Sequence, residues 1–171
     1  RKHSSIMDIV ELDSMHLLLN ASGEMVIFNT TDYQFRKLGL CRLNIKGVSE
    51  LFRYGDIVYI AHNRGVMAYN TKNYRLWSLP IKGIAGSDIK TIFRAAPAKL
   101  YVGTEGNGLF CYNLATHETQ HLTKQNSRLC SNYIRTIADD EMGNVWVGTV
   151  SGLNIIGQDG VPICTDDTTI D

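Results

Sequence analysis

Ser131-Asn-Tyr-Ile-Arg-Thr-Ile-Ala-Asp-Asp-Glu-Met-Gly-Asn-Val-Trp-Val-Gly-Thr-Val-Ser-Gly-Leu153 is the stretch that decides the fold. Ile134 and Ile137 mark a first strand. Asp140 to Asn144 is turn chemistry, with a carboxylate to open the turn and Gly143 free to take a positive φ. Val145-Trp-Val-Gly-Thr149 is β-branched and aromatic, so it reads as a second strand. Ser151-Gly152 turns the chain again, and Leu153-Asn-Ile-Ile156 makes a third.

Working outward, Gly152 has counterparts at Gly108, Gly65 and Gly23, spaced 44, 43 and 42 residues apart. Each precedes an apolar strand: Met25-Val-Ile-Phe28, Val66-Met-Ala-Tyr69, Leu109-Phe-Cys-Tyr112 and Leu153-Asn-Ile-Ile156. Each follows another: Leu17-Leu-Leu19, Ile57-Val-Tyr-Ile60, Leu100-Tyr-Val102 and Val145-Trp-Val147. Paired apolar positions lie further upstream, at Ile6 and Ile9, Val48 and Leu51, Ile89 and Ile92, Ile134 and Ile137. More polar fourth strands are expected over 33–38, 74–79 and 119–122, with a weak one at Val161-Pro-Ile163, since proline cannot donate to a ladder. Four short strands repeated at this period are the signature of β-propeller blades. The expected fold is therefore all-β, with blades over roughly 1–45, 46–86, 87–130 and 131–171. A β-sandwich or open meander would also use short strands, but it does not explain the period.

Four blades are few for a closed ring, and an unclosed array leaves apolar faces bare. The chain is therefore expected to be part of a larger propeller. Standing alone, it should expose apolar surface over residues 6–19 and 145–156.

Lys+Arg and Asp+Glu are both 17, which argues against a nucleic-acid or membrane-surface role. No apolar run approaches a membrane span. The chain begins at Arg1 and reads as a processed product or a piece of a longer protein. Cys41, Cys111, Cys130 and Cys164 have no CxxC spacing, so a thiolate metal site is not expected. An even count permits disulfides, but the wide spacing defines no framework. The four read as free, small hydrophobes.

With the period in place, Ile134-x-x-Ile-x-x-Asp-Asp-x-x-Gly143-Asn-Val-Trp146-Val-Gly148-Thr149-x-x-Gly152-Leu resembles the two-component regulator propeller repeat. The third repeat keeps Ser87-Asp-Ile89, Tyr101-Val-Gly-Thr104 and Gly108-Leu, but has Ala95-Ala-Pro-Ala98 in place of the Asp-x-x-Gly turn. The first two keep only the glycine, at Gly23 and Gly65, and the apolar frame. The resemblance implies the periplasmic sensor region of hybrid two-component histidine kinases of Bacteroides type, the ectodomain of an inner-membrane protein. It further implies an oligosaccharide ligand, from polysaccharide breakdown, and a homodimer. The kinase, with any catalysis, would lie outside these residues.

Two sets of loops are expected on opposite ends of the blades, and the second-to-third turns with the inter-blade connections carry more chemistry. His62, Asn63, Arg64, Glu105 and Asn107 are the candidate ligand group, offering donors and acceptors for a charged or neutral oligosaccharide. Asp139-Asp140-Glu141 lacks the alternating acidic spacing of a calcium loop and reads as a solvated turn. Trp146 reads as packing between blades. Neither a metal nor a cofactor is expected. The rivals to a non-catalytic sensor are an interaction propeller without a small ligand, and a carbohydrate-active enzyme. A glycosidase needs two facing carboxylates, for which Asp88 and Glu105 are the available loop candidates.

Overall fold

A computed structural model describes residues 5–22, 24–38, 47–95, 97–140 and 142–165. The described residues form sixteen strands in four antiparallel four-stranded sheets, each paired in simple sequence order. The described residues are all-β and built as propeller blades. The first sheet holds β1 (Ile6–Asp13), β2 (His16–Ala21), β3 (Glu24–Asn29) and β4 (Phe35–Lys37). The second holds β5 (Glu50–Tyr54), β6 (Ile57–His62), β7 (Gly65–Asn70) and β8 (Leu76–Ser78). The third holds β9 (Ile89–Ala95), β10 (Lys99–Thr104), β11 (Leu109–Asn113) and β12 (Thr119–Leu122). The fourth holds β13 (Ile134–Asp139), β14 (Val145–Thr149), β15 (Gly152–Ile156) and β16 (Pro162–Thr165). Pro162 opens the edge strand β16, a position where proline is tolerated.

Two compact units divide the chain, unit 1 up to Leu79 and unit 2 from Pro80. Each has its own core. Unit 1 packs Leu18, Met25, Ile27, Leu51, Val58 and Ile60; unit 2 packs Tyr101, Leu109, Ile134, Ile137, Val147 and Ile156. The middle strands β6 and β10 are buried at every position after the first. Covered on both faces, they need no polar alternation, which is why they read as unbroken apolar runs.

The paired isoleucines conceal a feature of the backbone. Residues three apart on a regular strand point to opposite faces. Ile89 with Ile92 and Ile134 with Ile137 are nonetheless all buried. One extra residue resolves this. Ile134 pairs Thr149 and Thr136 pairs Gly148, leaving Arg135 unmatched. Lys90 is unmatched in β9 and Met7 in β1 by the same shift. Each is a β-bulge that re-aims one side chain.

Of the exposed apolar surface expected over residues 6–19, Ile6, Met7, Ile9 and Met15 are exposed, whereas Leu12, Leu18 and Leu19 are buried. Such surface is not found along most of 145–156, because Val145, Val147 and Ile156 are buried in the unit 2 core.

Cysteine usage departs from the sequence expectation. Cys130 and Cys164 form a disulfide, tying the connection before β13 to the edge strand β16. Only their folded positions bring them within 5.4 Å, Cα to Cα. Cys111 is a free thiol, and burial pushes its pKa up to about 12, so it is inert. Cys41 and the repeat glycine Gly23 lie outside the described residues.

Asp140 fastens the turn between β13 and β14. Its Oδ1 accepts the backbone N–H of Met142 and of Asn144, both at 2.9 Å. Its Oδ2 accepts Asn144 Nδ2 at 2.9 Å and the Trp146 indole N–H at 3.0 Å. These donors, the Asn144 side chain first and Trp146 next, lower the carboxyl pKa from 3.8 to about 2. The folded value lies below the unfolded one. The stabilisation is therefore complete above about pH 4 and is lost as pH falls through about 2. Thermal unfolding of wild type and Asp140→Asn should differ at pH 7 and converge towards pH 2. A difference that stays constant across that range would refute the assignment.

Candidate functional site

The turn from the second to the third strand is built alike in both blades of unit 2. Thr104 Oγ1 donates to Gly108 O at 2.7 Å and accepts the Asn107 N–H at 3.1 Å. Thr149 Oγ1 donates to Gly152 O at 2.8 Å and accepts the Ser151 N–H at 3.1 Å. The threonine of Gly-Thr thus closes the hairpin with its own hydroxyl. The preceding glycine makes room. A Cβ on Gly103 would sit 2.5 Å from Ile134 Cγ2, and one on Gly148 2.8 Å from Thr136 Cγ2. Gly65, Gly108 and Gly152 all adopt positive φ.

Within this frame Glu105 and Asn107 share one turn. Glu105 sits between the two bulge cations of unit 2. Lys90 Nζ is 2.8 Å from one carboxylate oxygen, and Arg135 is 3.4 Å from the other. Lys90 also reaches Asp88, at 3.1 Å. The Lys90 hydrogen bond is the main reason that the Glu105 pKa is lowered. The Lys90 pKa is raised in turn, by Glu105 first and Asp88 second. Two carboxylates and two cations therefore form a charge-balanced cluster at the surface.

Beside it Tyr133 is exposed. Residues 105 and 133 make an isolated antiparallel bridge, and Gly106 lies against the Tyr133 ring, where a Cβ would come within 3.5 Å. Asn107 is held from two sides. Its Nδ2 donates to Ser87 Oγ at 2.8 Å, and its carbonyl bonds His121 Nε2 at 2.6 Å, the imidazole stacking on Phe110 at 4.1 Å. An exposed tyrosine ring thus stands next to paired ionic groups.

His62, Asn63 and Arg64 occupy the β6–β7 turn of unit 1. His62 stands where Thr104 and Thr149 stand in their blades, pairing with Gly65 as Thr149 pairs with Gly152. Its Nδ1 accepts the Arg64 N–H at 3.2 Å, the same capping bond. The ring is buried and its Nε2 has no partner. Burial first, and the Arg64 charge second, lower its pKa, keeping it neutral. Trp146 is half-buried with its N–H fixed on Asp140.

The structure adds Lys90, Tyr133 and Arg135, which the sequence reading did not select. A signal exists: in both repeats a cation directly follows the first paired isoleucine, Ile89-Lys90 and Ile134-Arg135. The glycosidase alternative fits this geometry poorly. Asp88 and Glu105 are both engaged by Lys90, and the Glu105 pKa moves down, whereas a general acid needs it raised. Among the described residues no group of three or more His, Cys, Asp or Glu is placed to hold a metal ion.

Residues 128–151 match the family model of the two-component regulator propeller. Histidine kinase P4 of Formosa agariphila is 32% identical over 100 residues, a match covering 52% of this chain and 7% of that protein. The extracellular domain of a proposed hybrid two-component system from B. thetaiotaomicron superposes with a TM-score of 0.77 at 18% identity, over 98% of this chain and 23% of that one. PorZ, a surface component of the type-IX secretion system of Porphyromonas gingivalis, does so with a TM-score of 0.69 at 15% identity, over 96% and 22%. The chain thus spans a small part of the length of each of these proteins.

Proposed function

We propose, from the premise that this chain carries a two-component regulator propeller repeat, that it is a non-catalytic, ligand-sensing part of a hybrid two-component histidine kinase. In this reading it lies in the periplasm, in the ectodomain of an inner-membrane protein, and responds to oligosaccharides released from polysaccharides. The family match at residues 128–151 carries the proposal, because those residues include Tyr133 and Arg135 of the candidate site. The disulfide fits an oxidising compartment. An exposed tyrosine ring beside charges that already neutralise one another suits a neutral sugar, which stacks on an apolar face and hydrogen-bonds without bringing charge. The exposed Ile6, Met7 and Ile9 of β1 suit packing against further blades of a larger ring or against a homodimer partner. Ligand binding would bias that packing, and the shift in population would pass to the kinase.

Calorimetric titration of the protein with neutral and acidic oligosaccharides tests the reading. A neutral oligosaccharide is expected to bind, and Tyr133→Ala to weaken it by up to about tenfold, the worth of one stacking contact. Absence of sugar binding at millimolar concentration would remove the sensor reading in favour of an interaction propeller. Reducing-end products in the same tubes would favour an enzyme.

A further inference from the structure

We infer that unit 1 holds a second small-molecule site, specific for a ring compound bearing a single carboxylate. It lies at the end of the blades opposite the β2–β3 and β6–β7 turns. A cavity of about 390 Å³ opens there, walled by the β1–β2, β3–β4 and β7–β8 turns and by Tyr69 of β7. That volume suits a mono- or disaccharide, or a small aromatic molecule.

The polar groups of the cavity identify the ligand. Tyr69 is 2% exposed, and its hydroxyl has no hydrogen-bond partner. Native proteins rarely leave such a group unsatisfied unless something else supplies the partner. Burial is the first cause of its raised pKa, so it stays a neutral donor, and Arg36 acts on it in the opposite direction. Arg36 forms no ion pair with a described residue. The remaining charged groups are already occupied. Asp13 Oδ1 accepts the Met15 N–H at 2.8 Å and bonds His16 Nδ1 at 2.9 Å. Asp32 Oδ1 accepts the Gln34 N–H at 3.0 Å, and His16 Nε2 faces Asn29 Nδ2 at 3.4 Å.

The Tyr69 hydroxyl and the Arg36 guanidinium therefore remain open, beside the polar side chains of Gln34, Thr71 and Tyr74 on the same wall. The group that satisfies both without competing donors is an anionic oxygen pair. The carboxylates of Asp13 and Asp32 on the cavity wall disfavour a second negative charge, which selects a carboxylate over a phosphate dianion. Phe35 and Tyr74, both 67% exposed, line the same cavity and offer ring faces for the body of the ligand. This site does not rest on the sensor reading, since it uses other turns and other residues.

The test is calorimetry on the intact chain with glucuronate and 4-hydroxybenzoate, each beside its neutral counterpart, methyl glucoside and 4-hydroxybenzamide. One acid is expected to bind with a Kd of about 1 mM or tighter, the scale for a ligand of this size. Its neutral counterpart should bind at least about tenfold more weakly. Which acid binds tells a sugar acid from an aromatic one. Tyr69→Phe and Arg36→Gln should each weaken the acid about tenfold. Tyr69→Phe should not lower the unfolding temperature of the unliganded protein, because the lost hydroxyl has no internal partner. Binding of neither acid by about 20 mM, some twentyfold above the expected Kd, overturns the proposal. So does equal binding of the neutral counterparts, or a lowered unfolding temperature for Tyr69→Phe. Tyr133→Ala should leave the acid unaffected, so failure of one site is distinguishable from failure of the other.

Discussion

Cys130→Ser/Cys164→Ser should lower the unfolding free energy by about 3–4 kcal/mol, the chain-entropy value for a closed loop of this length. The two cysteines are 34 residues apart, and the loop they close holds all of β13, β14 and β15. Without the bond, the unfolded chain regains the freedom that the crosslink removed. The folded chain also loses the tie that holds β16, an edge strand with one pairing partner, to the connection before β13. That connection keeps other anchors. Asn154 is fully buried, its Oδ1 accepting the Cys130 N–H at 2.8 Å and its Nδ2 donating to Arg128 O at 2.9 Å. The double variant should therefore fold, at a lower temperature. Calorimetric unfolding with and without reductant checks this. Reductant should bring wild type down to the variant and leave the variant where it is. A wild-type transition indifferent to reductant would show that the bond contributes no stability.

Gly108→Ala should cost about 3–5 kcal/mol, at the upper end of what single substitutions do. Two effects add. The φ of +74° places any L side chain in the left-handed region, for about 1–2 kcal/mol. The new Cβ would also stand 2.2 Å from the carbonyl oxygen of Leu122. That atom belongs to the backbone of β12, so no rotamer change relieves the overlap, and either the β11–β12 ladder or the turn must shift. Gly86 separates the two effects. Its φ is +81°, but a Cβ there would meet nothing within 4 Å, so Gly86→Ala should cost only the backbone strain, about 1–2 kcal/mol. Chemical denaturation of both variants gives the comparison. Equal losses would mean that the close approach to Leu122 carries no energy.

The blades were legible because their punctuation is local. Asp140 to Asn144 and Thr149 to Gly152 each close within a few residues, so residue type and spacing suffice to place the strands around them. The site was legible in part. Glu105 and Asn107 stood out as polar residues in a turn, but the groups that position them come from elsewhere in the chain. Lys90 and Arg135 reach Glu105 only because a bulge turns them out of the ladder, and spacing alone does not reveal an unmatched residue. His62 read as a surface donor, yet it fills the buried place of a threonine cap. The Cys130–Cys164 bond was hidden for a similar reason, since it depends on where β16 lies after folding. Tyr69 read as one more apolar strand residue, and only the cavity around it gives its hydroxyl significance.

A position that the ladder leaves unpaired is also one that the ladder does not constrain. Met7, Lys90 and Arg135 fill the same slot in three blades with a thioether, an amine and a guanidinium, all exposed. Scaffold and address are thereby separated. A single codon in a blade can rewrite the chemistry shown at its bulge while the cross-strand ladder on either side stays in place, so that side chain can change without first costing the blade its fold.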